Sequence, residues 1–166
     1  MNIHLREWKR NDADRVVEIL NNPNVKQYTS IMMDPYTLED ANNWIDFCEF
    51  CDKTFNINYA ISDEEKLIGS ISVNCLGGMH NRTGEIGYWL DEAYWGKGIV
   101  GKAIHEITEK AFEKLTINRI EAPVFVDNMG SRTVIERNGY KLESVMKDRV
   151  YKNNQYYDLY MYVKMK

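Results

Sequence analysis

A glycine-rich segment in the second half of the chain carries the residue types that bind a phosphate. It reads Tyr94-Trp95-Gly96-Lys97-Gly98-Ile99-Val100-Gly101-Lys102 and lies between a strand-like run and the longest helical stripe. Consecutive N–H groups that lead into a helix N-terminus attract an anion, and glycine allows a phosphate to approach them closely. Lys97 and Lys102 add positive charge at the rim. We therefore predict that the segment binds a phosphate-bearing ligand, above all a pyrophosphate.

Three of these glycines, Gly96, Gly98 and Gly101, also match the spacing of the dinucleotide-binding fingerprint. That reading predicts a nucleotide-dependent oxidoreductase that binds NAD(H). The fingerprint requires the strand to end at the first glycine and an acidic residue about 20 residues further on. Here five residues, Asp91 to Trp95, separate the strand from the loop, and Glu121 falls inside the next predicted strand. The context disfavours this alternative.

Further motifs accompany the glycine segment in a fixed order. Downstream are Asn128-Met129-Gly130-Ser131 and Glu136-Arg137-Asn138-Gly139-Tyr140, and the chain opens with Leu5-Arg6-Glu7-Trp8. Together these motifs resemble the GNAT superfamily of acyl-CoA-dependent N-acetyltransferases, in its RimJ/RimL-type branch, over essentially the whole chain. The superfamily loop usually reads Arg/Gln-x-x-Gly-x-Gly/Ala, whereas this chain has Trp95 and Val100 at the outer positions. The resemblance implies a single GNAT-type domain, residues 1–166, that uses acetyl-CoA as co-substrate and acetylates an amine.

The resemblance also implies which residues bind the cofactor. The strand Gly84–Leu90 would splay from its neighbour, so that main-chain groups of Tyr88, Trp89 and Leu90 bind the pantetheine amides as an added strand would. Asn128 would hydrogen-bond the same arm. The pyrophosphate would lie on the loop amides and beside its lysines, which are Gly96, Lys97, Gly98, Ile99, Val100, Gly101 and Lys102.

The resemblance implies one catalytic residue, and the chemistry of the amine requires a second. A main-chain N–H at the splay would stabilise the oxyanion, and Ser131 would give a proton to the departing thiolate. Ser131 is equally suited to cap the predicted helix Arg132–Arg137, and the two roles are compatible. An ammonium with a pKa of about 10 must lose a proton before it attacks. Glu85 is the base we expect, with Asp148 or a chain of water molecules as alternatives.

The elements that position these residues follow in the order βαα-βββ-αβ-αββ. Periodicity predicts helices after Asn11-Asp12 (stopped by Pro23), after the cap Thr37, and from near Lys97. Predicted strands are Ile3–Trp8, Asn56–Ser62, Lys66–Leu76, Gly84–Leu90, Arg119–Val126 and a hairpin over Gly139–Val163 turning at Lys152-Asn153-Asn154-Gln155. We predict an α+β fold with a mixed, mainly antiparallel sheet of about seven strands and helices on both faces.

Composition narrows the remaining function classes. The net charge of −4 disfavours binding to nucleic acid through bulk electrostatics, and no apolar run is long enough to span a membrane. The N-terminus lacks the apolar stretch of a secretory signal, which leads us to expect a soluble, cytoplasmic protein. Cys48 falls on the apolar stripe of a helix, so core packing is favoured over metal binding, and we predict no metal.

The resemblance also indicates which molecules the protein binds. We expect acetyl-CoA and an amine acceptor, which is a protein N-terminal α-amine or a small amine such as a polyamine. Both a monomer and a homodimer are compatible with the resemblance. The alternative to an enzyme is a catalytically silent module of the same fold that binds acyl-CoA or a partner.

Overall fold

The structure is a computed structural model that describes all 166 residues. Its strands are β1 (Ile3–Arg6), β2 (Asn56–Asp63), β3 (Lys66–Cys75), β4 (Thr83–Leu90), β5 (Arg119–Phe125), β6 (Lys141–Lys152) and β7 (Gln155–Met165). Its α-helices are α1 (Ala13–Leu20), α2 (Pro23–Lys26), α3 (Leu38–Phe50), α4 (Ile99–Lys114) and α5 (Met129–Arg137). The predicted order of elements is confirmed, with the short helix α2 as an addition.

The seven strands form one sheet in the order β1-β2-β3-β4-β5-β7-β6. Every neighbouring pair is antiparallel except β4 and β5, which are parallel because α4 connects them as a crossover. The predicted α+β class with a mixed, mainly antiparallel sheet is therefore confirmed.

Hydrophobic packing covers both faces of this sheet. A cluster of 21 buried residues joins α4 to one face, and a cluster of 10 joins α1 and α3 to the other. Successive side chains of a strand point to opposite faces, so β4 supplies Ile86 and Leu90 to the larger cluster while Trp89 packs against the smaller. None of the helices is both long and apolar enough to cross a membrane.

Local sequence signals explain several boundaries. Thr37 and Asp40 form the reciprocal hydrogen bonds of a capping box at the start of α3, as predicted. Asn153 and Asn154, with φ of 53° and 57°, make the predicted two-residue turn between β6 and β7, since asparagine tolerates the left-handed region. Cys48 is buried in the packed face of α3, in agreement with a core role.

Other boundaries differ from the predictions. Helix α1 ends at Leu20, and Pro23 begins α2 rather than only stopping α1, because its fixed φ suits a first helical position. Helix α5 begins at Met129, three residues earlier than predicted. Tyr162 of β7 is 1% exposed, and its hydroxyl donates to Glu136 of α5, which covers that face of the sheet.

Candidate active site

Strands β4 and β5 separate partway along their length. They pair only from Thr83 to Glu85 on β4, opposite Arg119 to Glu121 on β5. Beyond this point β5 remains paired with β7, and β4 remains paired with β3. From Ile86 onward β4 therefore has an open main-chain edge, and we call the gap beside it the split.

The pairing of β4 with β3 decides which main-chain groups face the split. Leu76 donates its N–H to Thr83, and Asp91 donates to Ile68, so the odd-numbered residues of β4 are bonded to β3. Tyr88 and Leu90 consequently turn their main-chain groups towards the split. The Leu90 carbonyl accepts from the Trp95 indole at 2.9 Å, which leaves the Leu90 N–H and both main-chain groups of Tyr88 without a partner.

This alternation corrects one prediction. Trp89 is odd-numbered, so its main-chain groups point to β3 and are not available to a ligand in the split. Its side chain instead packs beside Trp8, with ring centroids 6.4 Å apart. The sequence predicted the strand correctly, but the direction of each amide depends on the register with β3, which no local pattern specifies.

The glycine loop leads from β4 into α4 with a run of free amides. The N–H groups of the six consecutive residues Gly96 to Gly101 make no hydrogen bond within the protein. The first intrahelical bond of α4 is donated by Lys102 to the Gly98 carbonyl, at 3.4 Å. A chain of unbonded N–H groups at the N-terminus of a 16-residue helix is a site for an anion.

The three glycines of this loop have different reasons to be glycine. Gly96 and Gly98 have φ of +73° and +72°, and a Cβ there would meet no protein atom, so the space beside them is open for a ligand. At Gly101 a Cβ would lie 3.3 Å from Val134 Cγ2 of α5. Gly101 therefore lets α4 and α5 pack closely, a role that the loop motif does not reveal.

The two lysines of the loop differ in their freedom. The Lys97 ammonium donates to the Ala93 carbonyl at 2.8 Å and lies over the Tyr94 ring. Lys102 is exposed on the first turn of α4 and makes no hydrogen bond through its side chain. Of the two predicted phosphate contacts, Lys102 is the cation that can move to a ligand without breaking an existing bond.

Asn128 and Ser131 occupy the first turn of α5. Asn128 is the N-cap, because its Oδ1 accepts from the Ser131 N–H at 3.1 Å. Ser131 is the third residue of the helix, so the prediction that Ser131 itself is the cap is wrong. The reason is that α5 starts three residues earlier than its apolar pattern indicated. The Asn128 side-chain amide NH₂ has no partner, which is compatible with its predicted contact to a ligand.

The Ser131 hydroxyl contacts a residue that the sequence did not connect to it. Its Oγ lies 2.5 Å from the phenolic oxygen of Tyr88 on β4. Burial raises the pKa of Tyr88 to about 12, an effect that the bond to Ser131 opposes. Tyr88 was predicted to act only through its main chain. Its side-chain contact is visible only in three dimensions, because 43 residues separate the two positions.

Glu85 lies on the opposite face of β4 from the Tyr88 side chain. Its Cα is paired with that of Glu121 on β5, at the point where the two strands part. The pKa of Glu85 is raised, first by desolvation and then by the charge of Glu121, while Arg149 lowers it. A carboxylate with a raised pKa accepts a proton more readily, which fits the predicted general base.

The distance along β4 determines how Glu85 could act. Glu85 and Tyr88 are three residues apart, which is about 10 Å along a strand. Asp148 lies in a bulge of β6, the edge strand, and β5 and β7 lie between β6 and β4 in the sheet. Glu85 is thus the carboxylate on the split strand itself, and at about 10 Å from Tyr88 a proton would pass through water.

Helix α2 connects the segment before the glycine loop to the hairpin of β6 and β7. The Glu92 carboxylate, just before the glycine loop, accepts from Asn22 and Asn24 at 2.8 and 2.9 Å. At the other end of α2 the buried Lys152 ammonium donates to the carbonyls of Lys26 and Thr29, at 2.8 and 3.0 Å. No local sequence pattern indicates these long-range contacts.

Comparison with known proteins places this arrangement in a family. The acetyltransferase (GNAT) domain family matches residues 2–141. The ribosomal-protein-serine acetyltransferase of Escherichia coli (strain K12) is 36% identical over 107 residues, which are 64% of this chain and 59% of that protein.

Two solved structures resemble the whole fold. RimL, a ribosomal L7/L12 α-N-protein acetyltransferase in complex with coenzyme A, has a TM-score of 0.87 at 24% identity, covering 99% of this chain and 94% of its own. The microcin C7 self-immunity acetyltransferase MccE, in complex with acetyl-CoA and AMP, has a TM-score of 0.84 at 25% identity, covering 99% and 93%. With a family match over most of its length and a split sheet beside a loop of free amides, this chain belongs to the GNAT family of acetyltransferases.

Proposed function

We propose that this protein transfers the acetyl group of acetyl-CoA to a primary amine by direct attack within a ternary complex. The observation that carries the proposal is the run of free amides from Gly96 to Gly101 beside the open edge of β4. The likeness to MccE, whose structure contains acetyl-CoA, supports the choice of cofactor. The acceptor class is a protein N-terminal α-amine, as in the relatives that acetylate ribosomal proteins, or a small amine such as a polyamine.

Acetyl-CoA would lie along the split. The loop amides would bind its pyrophosphate, and Lys102 would add a charge. The open edge of β4 would hydrogen-bond the pantetheine arm through Tyr88 as an added strand does. The Asn128 side-chain NH₂, which is free in the structure, would donate to the same arm.

The chemical step would then take place at the end of the pantetheine arm. The amine, deprotonated through water by Glu85, attacks the thioester carbon, and a main-chain N–H of Tyr88 or Leu90 stabilises the oxyanion. The C–S bond breaks and the thiolate is protonated at Ser131. From ammonium to amide the nitrogen loses two protons: the first passes through water to Glu85 and on to solvent, and the second balances the proton that the sulfur gains through Ser131. The overall reaction therefore releases one proton.

Gly98→Asp tests the cofactor site. The substitution places a carboxylate among the loop amides, where it occupies and repels the pyrophosphate position. We expect the affinity for acetyl-CoA and CoA to fall by at least about tenfold, the value of a lost charge-assisted hydrogen bond. Thermal-shift titrations with acetyl-CoA, CoA and NADH would measure this, and only the first two should stabilise the unmodified protein.

Gly78→Asp is the matched control. Gly78 also has a positive φ, +61°, with no protein atom near a Cβ, but it lies in the turn between β3 and β4 at the other end of the sheet. Both variants should melt alike in the absence of ligand. Unchanged CoA affinity in Gly98→Asp would contradict the assignment of the loop. Stabilisation by CoA without acetyl transfer to any amine would indicate a binding module instead of an enzyme.

A further inference from the structure

Tyr88 and Ser131 form an isolated pair of hydroxyl groups at the split. The pair joins β4 to the first turn of α5, and neither hydroxyl has another hydrogen-bond partner in the protein. Two hydroxyl groups in contact share one hydrogen bond, in which one donates and the other accepts. One O–H of the pair is therefore left to donate to a ligand.

The surroundings of the pair decide which O–H remains free. Tyr88 packs against the larger hydrophobic cluster, and its raised pKa keeps the phenol protonated across the physiological range. A phenol is a stronger donor than an aliphatic hydroxyl, so the favoured arrangement has Tyr88 donating to Ser131 Oγ. The Ser131 hydrogen is then the one that points away from the pair.

We propose that Tyr88 is a positioning residue that accounts for the role of Ser131: its phenol donates to Ser131 Oγ and turns the Ser131 O–H towards the sulfur of CoA. This inference rests on the proposed function, since it needs CoA in the split. The Ser131 hydrogen bond stabilises the thiolate as the C–S bond breaks. Tyr88 itself keeps its proton, so it changes no step of the proton balance.

Charged groups on the surrounding elements have other partners. On α5 the Arg132 guanidinium donates to the Val126 carbonyl and lies over the Tyr160 ring. The Lys97 ammonium of the loop is bonded to Ala93. Lys102 of α4 is the remaining cation of the glycine loop, and it lies at the predicted pyrophosphate position, at the opposite end of the pantetheine arm. The hydroxyl pair is thus the donor that the structure provides for the sulfur.

The pKa of the CoA thiol in the complex tests the proposal without an acceptor. The ultraviolet absorbance of the thiolate would be recorded against pH for CoA bound to the unmodified protein, Tyr88→Phe and Ser131→Ala. We expect bound CoA to have a lower thiol pKa than free CoA. Each variant should raise it by about one unit, a tenfold change in the thiolate to thiol ratio. Affinity for desulfo-CoA, which lacks the thiol, should be the same in all three proteins.

Tyr140→Phe is the matched control. Tyr140 is a second buried tyrosine on the same face, but its hydroxyl is bonded to Thr108 at 2.8 Å. Its loss should leave the thiol pKa unchanged. A shift of the thiol pKa in Ser131→Ala but not in Tyr88→Phe would overturn the positioning role of Tyr88. No shift in either variant would show that neither hydroxyl contacts the sulfur. Failure of the unmodified protein to bind CoA or desulfo-CoA would instead overturn the proposed function.

Discussion

We propose two roles for the Asn128 side chain. Its Oδ1 caps α5 by accepting from the Ser131 N–H, while its NH₂ group has no partner in the protein and is the proposed donor to the pantetheine arm. The two ends of the amide can be separated by substitution, because aspartate caps a helix as well as asparagine does but has no N–H.

Asn128→Asp should therefore keep the stability of the protein and weaken CoA binding. The carboxylate still accepts from Ser131 and suits the positive end of the helix dipole, so the melting temperature should stay the same. Asn128→Ala, which loses the cap, should lower the free energy of unfolding by about 1 kcal/mol. Both variants should bind CoA more weakly in a titration. If Asn128→Asp bound CoA with full affinity, the NH₂ group of Asn128 would have no role in binding and the residue would serve only as a cap.

Glu85, our proposed base, lies in an environment that disfavours its charged form. Its pKa is raised in the folded protein, so folding favours the protonated form. The stability from that protonated form is present below the ordinary glutamate pKa, about 4.3, and is lost as the pH rises through the higher folded-state value. At neutral pH the ionised Glu85 therefore lowers the free energy of unfolding relative to a neutral side chain at the same position.

Glu85→Gln should raise the melting temperature at neutral pH and abolish most acetyl transfer. Glutamine resembles the protonated acid, so the difference in melting temperature should disappear as the pH falls below about 4. Melting curves from acidic to neutral pH measure this without an acceptor. Glu143→Gln is a useful contrast, because Glu143 is bonded to Arg119 at 2.6 Å, which lowers the pKa of Glu143, and its loss should lower the melting temperature at neutral pH. A Glu85→Gln protein with full activity would leave Asp148 or water as the base.

Among the elements, α2 links the two halves of the proposed site. Its start is bonded to Glu92 beside the glycine loop, and its end to Lys152 of the hairpin. Burial, and then the charge of Lys26, lower the pKa of Lys152, whose amino group donates to several carbonyl oxygens at once. This clamp fixes the loop after α2 and the hairpin tip, which are where we expect the acceptor to bind.

Lys152→Met should loosen this region without affecting the cofactor. The change leaves the Lys26 and Thr29 carbonyls without their partner, at a cost of about 1–3 kcal/mol. Limited proteolysis should then cut within the loop 28–36 faster than in the unmodified protein, while the affinity for CoA stays the same. Lys147→Met, which removes an exposed lysine of the same strand, is the control. A loss of CoA affinity in Lys152→Met that is absent from Lys147→Met would contradict this expectation, and it would show that the Lys152 contacts also support the cofactor site.

At this scale the sequence predicts features that depend on adjacent residues and misses those that depend on contacts between distant segments. The glycine loop, the capping box at Thr37 and the Asn153-Asn154 turn each depend on a few adjacent residues, and the sequence predicted them. The orientation of Trp89 depends on its register with another strand, and the Tyr88–Ser131 and Lys152 contacts join distant segments. The start of α5 was misplaced because Met129 and Gly130 lack the apolar periodicity that marked the rest of the helix.

At the scale of the whole molecule, both hydrophobic clusters pack against the same sheet, one on each face. Strand β4 contributes to both, through Ile86 on one side and Trp89 on the other. The clusters therefore share a backbone and cannot separate unless the sheet itself opens. This arrangement supports residues 1–166 as a single folding unit.

We accordingly expect one cooperative unfolding transition. Trp8, Trp44 and Trp89 lie together on the side of the smaller cluster, with ring centroids 6.2 and 6.4 Å apart, so tryptophan fluorescence reports mainly on that side. Far-ultraviolet circular dichroism reports on all the helices and strands. The two signals should give the same melting temperature, and CoA at 100 times its dissociation constant should raise both equally, by about 2.7 kcal/mol of stability. An earlier fluorescence transition that CoA does not move would show that the side carrying α1 and α3 unfolds independently of the cofactor site.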